Sequence, residues 1–140
     1  MSGLPTPTPP YNPEAEPFWT AAADGRLVLP RCDACGHLVW YPRAWCPVCG
    51  NDDVTWTEMS GRGTVYAHTV LHRALGPWAS AAPFVVAYVE LGEGPRILTN
   101  VVADDPGAVQ IGNPVRATFV PLVDLPAGSP AQAILRFVRA

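Results

Sequence analysis

Lysine is absent from this chain of 140 residues: all nine basic residues are arginines, and twelve acidic residues stand against them. The formal net charge is −3 at pH 7. Nonspecific binding to nucleic acid needs several cations clustered on one face, whereas these arginines are scattered with acids between them. The charge therefore argues against nucleic acid as a partner.

Long apolar segments are also missing. Stretches such as Pro83 to Val89 fall far short of the ~20 apolar residues that cross a bilayer. Met1 is followed by prolines rather than by the basic and apolar regions of a signal sequence. We therefore expect a soluble, cytoplasmic chain that is neither exported nor associated with a membrane.

Catalytic motifs are equally scarce. The sequence has no G-x-S-x-G elbow, no Walker loop and no G-x-G-x-x-G fingerprint, which disfavours serine hydrolysis, phosphate cradling and dinucleotide binding. His68 and His72 share a strand face by their even spacing and could be catalytic or metal-binding. No third ligand follows nearby, so we interpret them as surface or interface residues and predict no catalytic residue.

The sequence does contain two Cys-x-x-Cys-Gly pairs, C-D-A-C-G and C-P-V-C-G. Two thiolates at this spacing converge on one metal ion when the backbone turns tightly, and the glycine after each pair permits that turn. The ten residues between the pairs fit a short hairpin. We predict a structural zinc ion in a ribbon of two knuckles, bound by Cys32, Cys35, Cys46 and Cys49.

Other states of the four cysteines are the alternatives. A reducing cytosol disfavours disulfides, and a redox dithiol or four buried thiols fit the two paired spacings less well than a metal site does. A tetrathiolate iron site has the same ligands and geometry, so the spacing identifies the site but not the ion. We favour zinc because nothing else in the sequence indicates electron transfer.

Seventeen prolines and twelve glycines divide the chain into short segments, which is typical of mainly β proteins. Residues 1–13 predict a disordered, proline-rich arm. Residues 14–25 predict a docking helix, in which Phe18 and Trp19 pack either on the ribbon or on another chain. Residues 26–53 are the predicted ribbon.

Five or six strands are predicted in residues 54–140. Alternating apolar runs place them near Val54 to Met59, Thr64 to Leu71, Phe84 to Leu91, Arg96 to Val102, Val115 to Val120 and Ala133 to Val138. Such strands could pack as a sandwich or close into a barrel, and the oligonucleotide/oligosaccharide-binding (OB) barrel is the smallest common closure. The expected fold is mainly β: a short N-terminal helix, a four-cysteine zinc ribbon and a five- or six-stranded OB-fold barrel.

The order of these segments resembles a known family. The segments that carry the resemblance are, in chain order, F-W in the helix, R-L-V-L-P-R-C-D-A-C-G, Y-P-R, C-P-V-C-G and W-T-E-M-S-G-R-G-T-V-Y-A-H-T-V. The chain is similar, from about residue 14 to residue 138, to the acyl-CoA-associated family that joins a rubredoxin-like zinc ribbon to an OB-fold. The Y-P-R between the knuckles and the G-R-G-T-V after them make the likeness specific.

The resemblance implies an accessory subunit. Members associate with thiolase-superfamily proteins, including lipid-transfer-type thiolases, and help to hold CoA thioesters. Some support an aldolase that cleaves a steroid side-chain CoA thioester, with the chemistry on the partner. We therefore expect a hetero-oligomer with a thiolase-like protein, acyl-CoA as the shared substrate, and a Claisen, thiolase or retro-aldol step. Whether any residue of this chain takes part in catalysis is open.

Arginines are the candidate CoA-binding residues, because a guanidinium forms planar, bidentate bonds to phosphate. Arg62 lies between two glycines that could let the backbone approach a ligand. A solvated turn arginine is the alternative interpretation for each of the three candidates, Arg43, Arg62 and Arg73.

Aromatic residues offer a candidate partner surface. They could form an interface or pack in the core, and the residues concerned are Trp40, Tyr41, Trp45 and Trp78.

Two other functions compete with the accessory subunit. The architecture by itself favours a nucleic-acid-binding zinc ribbon and OB-fold module, against the charge. An iron-containing electron carrier would be coloured.

Overall fold

The computed structural model of this chain describes residues 4–10, 12–123 and 131–140. Across these residues the chain is mainly β, as predicted, with one short α-helix and three short 3-10 helices at Pro13–Ala15, Gly76–Ala81 and Pro106–Ala108. The larger elements are α1 (Glu16–Ala23), β1 (Val28–Cys32), β2 (Val54–Glu58), β3 (Arg62–Leu71), β4 (Phe84–Leu91), β5 (Arg96–Val102), β6 (Pro114–Pro121) and β7 (Ala133–Arg139).

Five strands close into a barrel in the order β3-β4-β5-β7-β6, with β6 pairing back onto β3. β5 and β7 run parallel, and the other neighbours are antiparallel. Alternate residues of β4 face the core: Val85, Ala87 and Val89 are each no more than 2% exposed. The barrel confirms the predicted fold class and excludes the sandwich.

The predicted strand near Val54 to Met59 forms as β2, but it pairs with β1 and not with the barrel. Cys32 lies opposite Val54 in this two-stranded sheet. Between the end of β2 at Glu58 and the start of the barrel at Arg62, the chain passes through Gly61, which has a φ of 78°. Among the described residues, the barrel therefore has five strands and not six. The domain limits, including a barrel of residues 54–140, stay predictions, and residues 124–130 lie outside the described residues.

Helix α1 joins the ribbon to the barrel. It contacts β1 of the ribbon and β6 and β7 of the barrel. Phe18 and Trp19 are 2% and 8% exposed, and the ring of Phe18 lies 5.5 Å from the ring of Trp40 in an edge-on arrangement. Of the two options that the sequence left open, these aromatics take the first, because they are buried within their own chain against the ribbon.

The N-terminal arm touches the barrel. Residues 4–10 form neither helix nor strand, but the backbone carbonyls of Leu4 and Pro5 accept hydrogen bonds from the guanidinium of Arg136 on β7. Arg136 is 4% exposed, and burial lowers its pKa from the usual value for arginine. A guanidinium remains charged even so, and the two carbonyls replace part of its lost hydration. Residues 1–3 and 11 of the predicted arm lie outside the described residues.

Gly63 is needed for the close approach of β3 to β4. A Cβ atom at this position would lie 2.6 Å from the backbone oxygen of Glu90 and 2.9 Å from Cγ1 of Val89. The neighbouring strand therefore accounts for Gly63, and the sequence interpretation in which the glycines flanking Arg62 admit a ligand stays a prediction.

Within the described parts of the chain, no helix has the length and apolar character needed to cross a membrane.

Replacing Phe18 with alanine should lower the free energy of unfolding by about 3–5 kcal/mol, because it removes a buried ring between ribbon and helix. Denaturant titration followed by tryptophan fluorescence measures the change. Leu75, which is 90% exposed, is the matched control, and Leu75→Ala should change stability by less than about 0.5 kcal/mol. Equal effects of the two substitutions would contradict the packing described for α1.

Gly63→Ala should destabilise the barrel by about 1–3 kcal/mol, since the added methyl group meets backbone that cannot move aside cheaply. Gly92→Ala is the control, because a Cβ there would lie 3.8 Å from its nearest neighbour, the backbone oxygen of Arg62. Thermal unfolding of both variants tests the difference, and a Tm for Gly63→Ala at or above that of Gly92→Ala would refute it.

Candidate metal centre and ligand-facing surfaces

The four cysteine sulfur atoms converge at the end of the β1–β2 sheet. All four Sγ atoms lie within 4.8 Å of one another. The Sγ atoms of Cys32 and Cys49 are 3.5 Å apart, and those of Cys35 and Cys46 are 3.7 Å apart. Four thiolates around zinc at ~2.3 Å are separated by ~3.8 Å, whereas a disulfide bond is ~2.05 Å long. The spacing therefore fits a tetrahedral metal ion and no disulfide.

Two equivalent turns bring the sulfur atoms together. The amide of Gly36 donates to the carbonyl of Cys32, and the amide of Gly50 donates to the carbonyl of Cys46, each over 2.8 Å. Both glycines have a φ of 78°, which explains why glycine ends each Cys-x-x-Cys pair. Each turn buries its first cysteine and exposes its second, so the site has a buried side and a solvent side.

Backbone amides make the first thiol of the site acidic. Amides of Cys35 and Ala34 hydrogen-bond to the sulfur of Cys32 and, against the effect of burial, lower its pKa from 9.0 to about 7. The amide of His37 acts in the same direction on Cys35, but burial and the neighbouring thiols raise the pKa of Cys35 to about 12. Without a cation, four converging thiols thus resist full deprotonation, whereas a divalent metal ion would favour it.

A metal ion held by all four sulfur atoms would have no open coordination position. Such an ion stabilises the fold and activates no substrate, and no cysteine would be left as a nucleophile, because the chain has only these four. The sulfur donors and their geometry suit zinc and also fit iron.

The three candidate CoA-binding arginines lie apart in the fold. Arg43 is in the loop of the ribbon, Arg62 begins β3, and Arg73 follows the end of β3; all three are exposed. Their assignment to CoA stays a prediction. The structure also shows a neighbour that sequence reasoning missed, because Arg116 on β6 stands directly opposite Arg62. Only the strand pairing, which joins positions 54 residues apart in sequence, brings these two together.

The two histidines have different surroundings. His68 lies opposite Ala87 on the inner side of β3, and its Nδ1 atom is buried without a hydrogen-bond partner among the described residues. His72 lies just beyond β3 and is exposed. They do not belong to the group of cysteines that could hold a metal ion.

Apolar side chains are exposed on the ribbon beside the metal centre. Tyr41, Trp45 and Val48 are 37%, 52% and 67% exposed, and all three lie in the segment that leads into or through the second knuckle. Trp40 instead packs against Phe18, and Trp78 lies 5.1 Å from the ring of Phe84. We refer to Tyr41, Trp45 and Val48 as the ribbon patch.

Comparison with known families accounts for most of the chain. Residues 19–55 match the family described as "ChsH2, rubredoxin-like zinc ribbon domain", and residues 56–120 match "ChsH2, C-terminal OB-fold domain". A DUF35 domain-containing scaffold protein of Methanocaldococcus jannaschii is 37% identical over 94 residues, which are 66% of this chain and 67% of that protein.

Two longer relatives carry enzyme-subunit names. A probable enoyl-CoA hydratase alpha subunit of Thermomonospora curvata is 40% identical over 128 residues, which cover 89% of this chain but 40% of that protein. The 3-oxo-4,17-pregnadiene-20-carboxyl-CoA hydratase alpha subunit of Mycobacterium tuberculosis is 44% identical over 71 residues, 51% of this chain and 22% of that protein. The chain thus spans less than half the length of these relatives.

Solved structures show the same architecture. The structure named "Ltp2-ChsH2(DUF35) aldolase" superimposes with a TM-score of 0.76 at 37% identity and covers 94% of this chain and 98% of the matched chain. A DUF35-family protein of Sulfolobus solfataricus superimposes with a TM-score of 0.63 at 17% identity, covering 92% of this chain and 87% of that one, which shows the shared fold.

Purified under reducing conditions, the protein should be colourless and contain one zinc ion per chain, measured by elemental analysis. Cys46→Ser removes a buried ligand and should abolish stoichiometric zinc and unfold the ribbon. Ser60→Ala, at an exposed position outside the ribbon, should retain the metal. A red protein containing iron, or full zinc content in Cys46→Ser, would contradict this prediction.

Proposed function

The chain belongs to the DUF35 family, whose members join a ChsH2-type rubredoxin-like zinc ribbon to an OB-fold, and from this membership we propose that it is the accessory scaffold subunit of an enzyme acting on acyl-CoA thioesters. Its partner in this proposal is a thiolase-superfamily protein of the lipid-transfer type. The observation that carries the proposal is the structural likeness to the chain from the Ltp2-ChsH2(DUF35) aldolase, which extends over 94% of this chain.

The metal centre has a structural role in this proposal. Zinc bound by Cys32, Cys35, Cys46 and Cys49 ties the second knuckle to the β1–β2 sheet. The ribbon is too small to hold its shape with a core of its own, so a metal site that contributes about 10–16 kcal/mol would supply the missing stability. The fixed knuckle then holds the ribbon patch in a single orientation.

The ribbon patch is the proposed docking surface for the partner. Trp45 and Val48 flank the buried Cys46, so their backbone is rigid once metal binds, and both side chains are more than half exposed. Aromatic residues on a rigid support are typical centres of binding energy in protein interfaces. The side chain of Tyr41 extends the same patch toward α1, where the Tyr41 ring lies 6.5 Å from the Phe18 ring.

The chemistry falls to the partner in this proposal. With four thiols committed to metal, this chain offers no cysteine nucleophile, and its contribution is to position the thioester and exclude water at the shared site. The name of the Mycobacterium relative, a pregnadiene-carboxyl-CoA hydratase subunit, favours a steroid side-chain CoA thioester as the substrate. The name of the Ltp2-ChsH2(DUF35) aldolase favours aldol cleavage over condensation or thiolysis. We further propose that the complex works in the cytoplasm, where CoA thioesters are made and consumed.

Capture of the partner tests the proposal. The tagged chain, incubated with lysate of its own source, should retain a thiolase-fold protein in stoichiometric amount, identified by mass spectrometry. Combining Trp45→Ala with Val48→Ser should reduce the retained partner at least tenfold, because both changes remove exposed apolar area from the patch. The isolated chain should turn over no CoA thioester, and adding it to the partner should raise the partner's aldolase or thiolase rate.

Ile111→Ala is the control for capture, since Ile111 is 69% exposed on the barrel, away from the ribbon. Zinc content and the unfolding midpoint should be unchanged in all three substitutions. Partner kinetics that are the same with and without this chain would refute the accessory role. If the double variant captures the partner normally, the complex exists but the ribbon patch is not its docking surface.

A further inference from the structure

Arginine and tyrosine side chains lie on the outer surface of the barrel, on the consecutive strands β6, β3, β4 and β5. Along β3 the outward positions include Arg62 and Tyr66, and the neighbouring strands add four more exposed residues. We refer to this set as the arginine–tyrosine face, which consists of Arg62, Tyr66, Tyr88, Arg96, Leu98 and Arg116.

The strand register places these side chains next to one another. Arg62 lies opposite Arg116 on β6, one position from the pair of Gly63 with Val115, whose side chain is 1% exposed and faces the core. Because side chains alternate along a strand, both arginines point outward. Tyr88 lies opposite Leu98 on β5, and a bulge between Val65 and Ala67 turns Tyr66 toward the same surface.

The pair of Arg62 and Arg116 carries two positive charges that the described residues do not neutralise. Side chains directly opposite on antiparallel strands have Cβ atoms about 4.5–5.5 Å apart, and like charges at that position are destabilising. Across residues 4–10, 12–123 and 131–140, the ion pairs are those of Arg26 with Glu58 and of Arg96 with Glu90. The nearest acid in the register is Glu90, opposite Thr64, and its carboxylate is paired with Arg96, so an anion from solution could bind between Arg62 and Arg116.

The tyrosines give the same face a surface for flat rings. Tyr66 and Tyr88 are each 46% exposed. The guanidinium of Arg96 lies 3.9 Å from the centroid of the Tyr66 ring and is also held by Glu90, whose Oε2 accepts from its Nε over 3.0 Å. This contact fixes one side of the Tyr66 ring, and a base can stack on aromatic rings held in this way.

The separation of the two features matches one small ligand. Arg62 and Tyr66 are four positions apart on β3, which corresponds to about 13 Å of extended strand at ~3.3 Å per residue. Arginine side chains bridge part of that distance. A nucleoside phosphate presents an anion and a flat ring within such a span, whereas inorganic phosphate would use the arginines alone.

We propose that the arginine–tyrosine face binds a nucleoside phosphate, with Arg62 and Arg116 on the phosphate and Tyr66 or Tyr88 against the base. The identity of the ligand rests on the proposed function: it is the adenosine phosphate end of the CoA thioester. This face then binds the nucleotide part of CoA while the acyl group reaches the partner. Of the three predicted arginines, Arg62 is then the one that binds CoA, and Arg116 binds the same phosphate group beside it.

Titration of the full-length, zinc-loaded chain with adenosine 3′,5′-bisphosphate by calorimetry tests the proposal. At low salt we expect a Kd of about 1 mM or tighter, weakened at least tenfold in the double variant Arg62→Gln with Arg116→Gln. Arg31→Gln, which removes one exposed charge from the ribbon, is the control and should bind as the parent does. Tyr66→Leu with Tyr88→Leu should weaken binding of the bisphosphate but not of pyrophosphate.

A second measurement guards against loss of folding. Arg62 and Arg116 are exposed and repel each other, so removing either charge should leave the unfolding midpoint unchanged or raise it. No binding by the folded parent, or equal binding by Arg31→Gln and the double arginine variant, would overturn the proposal. So would preferential binding of single-stranded oligonucleotide with no binding of the bisphosphate. Partner capture through the ribbon patch is independent of these residues, so a failure here leaves the accessory role testable by itself.

Discussion

The convergence of four sulfur atoms at the end of a two-stranded sheet is the constraint on which the ribbon half of this protein depends. Two short strands have too little apolar surface to hold together in water. The paired knuckles place the Sγ atoms of Cys32 and Cys49, and of Cys35 and Cys46, at separations that suit a tetrathiolate metal site. The positions of both knuckles, and of the side chains exposed on them, therefore depend on that cluster.

Helix α1 transmits the order of the ribbon to the barrel. Phe18 and Trp19 are buried in the same chain, on a helix that contacts β1 of the ribbon and β6 and β7 of the barrel. A helix of eight residues is marginal by itself, so its stability comes from this packing. The consequence is that the ribbon patch and the arginine–tyrosine face belong to two modules joined through an apolar contact, which suits a scaffold that must hold a partner and a ligand together.

Two surfaces with different chemistry divide the proposed work. The ribbon patch is apolar, as a protein partner requires, whereas the outer surface of the barrel combines tyrosine rings with Arg62 and Arg116, which form no ion pair among the described residues. The low charge of the chain is consistent with this division, because two arginines opposite each other suffice for one small ligand but not for a strand of nucleic acid.

The amino-acid sequence by itself determined the mainly β fold class and the group of four cysteines whose sulfur atoms converge, because Cys-x-x-Cys-Gly spacing and alternating apolar residues depend only on local geometry. It also indicated the helix, through Pro17 and the glycine that follows at position 25. Tertiary structure decided the rest. Whether β2 joined the barrel or β1, whether Phe18 faced its own chain, and which arginine stood beside Arg62 depend on pairings between residues far apart in sequence. Local pattern carries no record of those pairings, since strand register and packing are set by the closure of the whole barrel.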